Sequence, residues 1–156
     1  MKVARVTVSD RASRGIYEDK GGPEIERVFR ECWGEDCEFV ARTIPDERAL
    51  IADTIAALDY EDGCRLILTT GGTGPSLRDV TPEATRDVID KELPGFGEAQ
   101  RMVSFQKVPT AILSRATAGT RGRTLIINLP GNPKAIGECL PMLIPAIREA
   151  LKHLAE

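Results

Sequence analysis

Leu66–Ala84 (LILTTGGTGPSLRDVTPEA) constrains this chain more than any other stretch. The spacing predicts an apolar strand over 65–70, then three glycines (Gly71, Gly72, Gly74), a lone Asp79 and a helix start at Thr81-Pro82. A strand so apolar must be covered on both faces, and the helix that follows it must lie against its sheet. The succession recurs along the chain. Residues 3–9 read as a β-branched strand running into a polar loop, and Ile25, Val28, Phe29, Cys32 and Trp33 then repeat at helical spacing behind Pro23 at the first helical position. Gly34 is the expected stop. Residues 38–43 read as a second strand, and Asp46 stands where the N-cap of a helix bearing Leu50, Ile51, Ile55 and Leu58 belongs.

Further on, Thr81 is expected to cap a helix with Pro82 at its first position, its inner face made by Ala84, Thr85, Val88 and Ile89. A shorter helix is expected over 98–105, a hairpin through 116–122, and a buried strand over 124–129 that ends in the turn Pro130-Gly131-Asn132-Pro133. From Lys134 one long amphipathic helix runs on, with Pro141 and Pro145 expected to kink or split it. Strands alternating with helices predict one α/β domain over 1–156, a three-layer α/β/α arrangement around a mainly parallel sheet.

Composition narrows the function. Apolar content of 42%, charged content of 29% and a net charge of −3 describe a globular protein with no global attraction for nucleic acid. Six basic residues crowd two loops (Arg11, Arg14 and Lys20; Arg115, Arg121 and Arg123), and most of them read as solvated loop charges. Four cysteines form no C-x-x-C pair and the one histidine is His153, so a zinc site is not expected. Buried free thiols are the plain reading of Cys32 and Cys139, and Phe96, Phe105 and Trp33 read as core. No apolar run approaches the roughly 20 residues of a membrane span, and no leader pattern precedes the first strand, so a cytoplasmic protein is expected.

Open α/β sheets bind ligands outside the carboxyl ends of their strands. Four loops leave such ends, at 9–22, 44–46, 69–79 and 129–134, and one edge collecting all four suggests a site. Gly71-Gly72-Thr73-Gly74 is neither a Walker A loop nor a dinucleotide fingerprint; it is a structural turn or a backbone cradle for phosphate. Asp79 is an Asx-turn residue or a cation ligand, and Asp46 a helix cap or a second Mg²⁺ ligand. Asp10 and Asp19 are weaker candidates of the same kind. Ser9, Arg11 and Ser13 read as a hydrogen-bonded loop or as phosphate contacts, and Ser76, Pro130 and Gly131 join the candidate substrate-binding set.

The blocks SDRASRGIYEDKGGP (9–23), IPDE (44–47), LTTGGTGPSLRDVTPEAT (68–85), PGFGEAQR (94–101), AILSRATAG (111–119) and LPGNPKA (129–135) together resemble the molybdopterin-binding family, and within it the MogA-type molybdopterin adenylyltransferases. The central block is shared with MoaB-type relatives and with the equivalent domains of eukaryotic fusion proteins; the first loop resembles the MogA type more. The resemblance implies that molybdopterin and ATP react, with Mg²⁺, to adenylylated molybdopterin and pyrophosphate. It implies a homotrimer and a partner enzyme that inserts molybdate. It also makes Asp46 and Asp79 the catalytic pair. The attacking group would be a phosphate monoester, anionic at neutral pH, so a chain with its only histidine remote from the motifs suits the reaction. A non-catalytic molybdopterin carrier and a nucleotide-cleaving enzyme on the same fold are the competing readings.

Overall fold

The computed structural model describes residues 1–156. Six strands, β1 (Lys2–Val8), β2 (Glu38–Ile44), β3 (Leu66–Thr70), β4 (Lys91–Glu92), β5 (Ala118–Arg121) and β6 (Thr124–Leu129), form one sheet in the order β2-β1-β3-β6-β5-β4. β2, β1, β3 and β6 are mutually parallel, whereas β5 runs antiparallel to β6 and β4 antiparallel to β5. β3 and β6 are buried along their whole length, as central strands covered on both faces must be.

Alternate side chains divide between the two faces. Val3, Leu66, Leu68, Leu125, Ile127 and Leu129 pack under α2 (Gly21–Trp33), α5 (Gly95–Phe105) and α6 (Pro133–Ala155). Ala4, Val6, Val8, Ile67 and Ile126 pack under α3 (Arg48–Tyr60) and α4 (Thr81–Val88). A four-residue helical turn, α1 (Asp10–Ser13), and a 3-10 turn at Pro109–Leu113 complete the elements. The three-layer expectation therefore holds, and no helix is long and apolar enough to cross a membrane.

Several local expectations are corrected. α2 begins at Gly21, ahead of Pro23, because the Asp19 carboxylate accepts from Gly22 N–H at 3.0 Å. α3 is preceded by Glu47, and Asp46 does not cap it. Thr81 is already inside α4, so Pro82 is the second helical residue and not the first. α5 starts three residues earlier than expected, and the two-residue edge strand β4 has too short a pattern to read from sequence. Pro141 and Pro145 do not split α6. Both prolines are exposed and lie four residues apart on one side, so the carbonyls that lose their partners face water. Phe105 is exposed, unlike Trp33 and Phe96, and Cys32 is only half-buried.

Asn128, on β6, ties the sheet to its covering helices through a buried polar network. Its Nδ2 donates to Thr69 Oγ1 at 3.1 Å and to Thr85 Oγ1 at 3.0 Å, while its Oδ1 accepts from Thr117 N–H at 3.2 Å. Asn128→Ala strands the Thr69 hydroxyl and the Thr117 amide, while Thr85 keeps its bond to Thr81 O at 2.9 Å, and we expect it to cost about 2 kcal/mol in urea unfolding.

Candidate active site

The order of the strands reverses between β1 and β3: the chain leaves β1 to one side for β2 and returns to the other side for β3. That switch point is where an open sheet gapes. A cleft of about 170 Å³ opens there, lined by Thr7, Ser9, Tyr17, Asp19, Thr70, Gly71 and Gly131. The glycine loop enters it along a path that side chains resist. Gly71 and Gly72 have φ of +96° and +69°, and a Cβ on Gly71 would lie 2.3 Å from the Val8 carbonyl oxygen. Thr81 pins the loop from the helix side: its hydroxyl donates to Gly71 O at 2.9 Å and its N–H to Gly72 O at 3.0 Å.

The two aspartates flank this loop. A Cβ on Gly72 would come within 3.1 Å of Asp46 Oδ1, and one on Gly74 within 2.8 Å of Asp79 Oδ2. Asp46 is fixed by a reciprocal clasp across the ends of β1 and β2. Asp10 N–H donates to Asp46 Oδ2 at 2.9 Å, and Asp46 N–H donates to Asp10 Oδ1 at 3.0 Å. Arg78 adds bonds to both Asp10 oxygens at 2.9 and 3.1 Å and to Glu47 Oε1 at 3.0 Å. Asp79 Oδ2 accepts from Ser76 N–H at 3.1 Å while Asp79 N–H donates to Ser76 O at 3.0 Å, a reciprocal clasp that runs back three residues and is not the expected Asx-turn. In both aspartates Oδ2 is engaged inward, while Oδ1 has no protein partner and remains open to solvent.

Charge differs sharply around these carboxyls. Hydrogen bonds from Arg78 hold Asp10 below its ordinary value. Burial, with the neighbouring Asp10 and Asp79 carboxylates, pushes Asp46 up. No basic side chain forms an ion pair with Asp46 or Asp79. A raised, unneutralised carboxyl beside a second carboxylate with an open oxygen suits a divalent cation. The structure gathers no group of three His, Cys, Asp or Glu that would cage a metal, and Mg²⁺ takes one or two carboxylates, with water and substrate phosphates completing its shell.

The raised value has a stability consequence of definite sign. Asp46 is harder to ionise folded than unfolded, so its ionisation weakens the fold as pH rises from its ordinary value of 3.8. In the presence of chelator, Asp46→Asn is expected to melt about 1–3 °C above wild type at pH 7. Thermal scans down to pH 3 should show that difference vanish. Glu83 has the opposite sign: hydrogen bonding to Arg115 lowers it, so its contribution is complete above its ordinary value of 4.5 and is lost as pH falls below.

The other expected residues divide. Ser9 lines the cleft, yet its hydroxyl also accepts from Ala12 N–H at 3.1 Å as the cap of α1. Ser13 donates to Asp10 O at 2.8 Å, Arg11 is exposed with no side-chain bond, and neither residue lines a cavity. A second cavity, of about 370 Å³, lies beyond the glycine loop. Thr73, Gln100, Ser104, Lys107, Ser114, Pro130, Gly131 and Lys134 are among its walls, and Gly131 is common to both cavities. Of the six basic loop residues, Arg11, Arg14, Lys20 and Arg123 are exposed as expected. Arg115 and Arg121 are not surface charges: Arg121 pairs with Asp59 at 3.1 Å and donates to Val88 O, and Arg115 is bound to the glycine loop. Spacing held no signal for either, since their acceptors lie more than thirty residues away in sequence.

A switch-point cleft lined by glycines, with two half-engaged carboxylates against the adjoining Gly72 and Gly74 but lining neither cavity, suits an anionic, phosphate-bearing ligand. Residues 4–149 match the family model described as a probable molybdopterin binding domain. A molybdopterin adenylyltransferase of Helicobacter pylori (strain ATCC 700392 / 26695) is 54% identical over 142 residues, 91% of this chain and 81% of that protein. The molybdopterin adenylyltransferase of Escherichia coli (strain K12) is 51% identical over 140 residues, 90% of this chain and 72% of that protein. The crystal structure of the molybdopterin biosynthesis enzyme MoaB from Thermus thermophilus superposes with a TM-score of 0.88 at 43% identity, covering 98% of this chain and 95% of that one. The chain belongs to the molybdopterin-binding domain family.

Proposed function

We propose that the protein is a molybdopterin adenylyltransferase of molybdenum cofactor biosynthesis, transferring AMP from ATP to the terminal phosphate of molybdopterin with release of pyrophosphate. One observation carries the reading: two cavities meet at Gly131 on either side of a glycine loop whose flanking aspartates each present an open oxygen. A reaction of two substrates needs two adjoining chambers and a charged seam between them. Relatives more than half identical to this chain carry the same name.

In this reading ATP occupies the switch-point cleft, with its phosphates along Gly71–Gly74, and molybdopterin occupies the larger cavity. Asp46 and Asp79 would hold Mg²⁺ through their Oδ1 atoms. Bound there, the ion supplies charge neutralisation for the leaving pyrophosphate. The chain itself does the rest by positioning. Backbone N–H groups of the glycine loop face the phosphates, Ser9 and Thr73 offer hydroxyls on either side of it, Lys134 supplies positive charge in the wall of the larger cavity, and the exposed Arg11 adds charge two residues beyond Ser9. The molybdopterin phosphate is already a nucleophile at pH 7, so the absence of histidine from the site costs the reaction nothing. The protein acts in the cytoplasm as a homotrimer and passes its product to the molybdate-inserting enzyme. The apolar strip exposed at Met102, Phe105, Val108, Ile112 and Leu113 supplies surface for subunit contact.

Pyrophosphate release from Mg-ATP tests the reading. It should require molybdopterin, and adenylylated molybdopterin should accumulate in equal amount. Tight molybdopterin binding without release would favour the carrier reading, and release without molybdopterin the nucleotide-cleaving one.

A further inference from the structure

The Arg115 side chain makes three hydrogen bonds beside the glycine loop, and the reaction as described leaves it without a task. Its Nε donates to Gly74 O at 2.9 Å, its Nη2 to Asp79 O at 2.8 Å and its Nη1 to Glu83 Oε2, while its own N–H donates to Thr73 O at 2.7 Å. One residue thus grips the glycine loop twice, the Asp79 backbone once and the first turn of α4 once. All three guanidinium nitrogens are engaged with the chain's own acceptors, which fixes the plane of the fork.

Its own position is fixed from behind. Arg101 Nη1, on α5, donates to Ala116 O at 2.8 Å and to Ser114 O at 3.3 Å. α5 approaches so closely that a Cβ on Gly97 would lie 2.0 Å from Ala116 O. Ser114 in turn lines the 370 Å³ cavity. Arg115 therefore joins the Ser114 side of that cavity to the loop carrying Asp79, and is itself anchored to a helix. Glu83 completes the arrangement: its carboxylate is drawn below its ordinary value by Arg115, and its second oxygen is buried with no partner.

We infer that Arg115 is a positioning residue for the cation site, holding Gly74 and the Asp79 backbone so that the Asp79 carboxylate is presented toward Asp46 before any ligand arrives. This rests on the proposal that Asp46 and Asp79 bind a divalent cation. The planar fork of arginine serves three acceptors in fixed directions, whereas a lysine at the same place keeps the charge but cannot hold both carbonyls and Glu83 together. Partners one shell out from a metal ligand set its orientation, and their loss weakens metal affinity.

The test is Mn²⁺ affinity, read by electron paramagnetic resonance of free Mn²⁺ in the presence of a non-cleavable ATP analogue. Arg115→Lys should weaken Mn²⁺ binding about tenfold, with melting temperature within a few degrees of wild type, and the Mg²⁺ midpoint of turnover should rise in parallel. Glu83→Gln, which leaves both carbonyl contacts in place, should retain wild-type affinity. Arg115→Gln combined with Glu83→Gln leaves no buried charge unpaired and should show the same weakening as Arg115→Lys, which covers the case of an unstable single variant. Wild-type Mn²⁺ affinity in either Arg115 variant overturns the inference, as does equal weakening in Glu83→Gln alone. Asp79→Asn separates the two levels: if it binds Mn²⁺ as wild type does, the cation reading itself fails and this inference falls with it.

Discussion

Asp79→Asn leaves the fold intact and lowers molybdopterin-dependent pyrophosphate release by about 100- to 1,000-fold. The expectation follows from how the side chain is used. Its Oδ2 accepts from Ser76 N–H at 3.1 Å, a bond that the Asn carbonyl can keep, so the loop should retain its shape. What the substitution removes is the charge on the open oxygen. Asp46→Asn has the same logic with an added signature. Its inward bond from Asp10 N–H at 2.9 Å survives, while the raised carboxyl is replaced by a neutral group. Activity should fall as steeply as in Asp79→Asn while stability rises slightly, the pattern of a residue kept for chemistry at some cost to the fold. Steady-state release assays beside thermal melts decide it. A double variant with full turnover would remove both aspartates from the mechanism.

Gly71→Ala should destabilise the protein by about 2–4 kcal/mol and abolish turnover. Two costs add at this position. The φ of +96° disfavours any residue with a Cβ, and that Cβ would lie 2.3 Å from the Val8 carbonyl oxygen, a backbone atom at the end of β1 that cannot step aside. The loop would have to leave the switch point, taking Gly72 and its packing against Asp46 with it. Gly122→Ala is the matched control. Its φ is +54° with nothing within 4 Å of the added atom, so conformational strain alone remains, about 1–2 kcal/mol. Equal unfolding free energies for the two variants would show that the contact with Val8 contributes nothing.

Much of this was legible because local pattern and global fold agree. The unbroken burial of Leu66–Thr70 and Thr124–Leu129 and the helical period of Ile25–Trp33 are consequences of chain geometry, and the layers follow from them. The glycine loop was legible for the same reason: three glycines after a buried strand mark backbone that side chains cannot enter. Capping misled where tertiary partners competed. Asp46 reads as a helix cap in any local window, but Asp10 N–H claims its carboxylate from 36 residues away. Thr81 reads as a cap, but Gly71 O takes its hydroxyl. Asp79 makes no Asx-turn: its carboxylate reaches back to Ser76 N–H and leaves the other oxygen open.

By itself the sequence determined the α/β class, the parallel strands and which loops gather at one edge, because hydrophobic period and glycine placement are local properties that the fold must obey. Only the tertiary structure decided which polar atoms remain free once the fold's own hydrogen bonds are made. That left one carboxylate oxygen of Asp46 and of Asp79 without a partner, and it tied Arg115, a loop charge in the sequence, to Gly74 O and Asp79 O. The reason is physical: a buried or half-buried donor takes the nearest acceptor in space, and distance in space is what strand order, not residue spacing, sets.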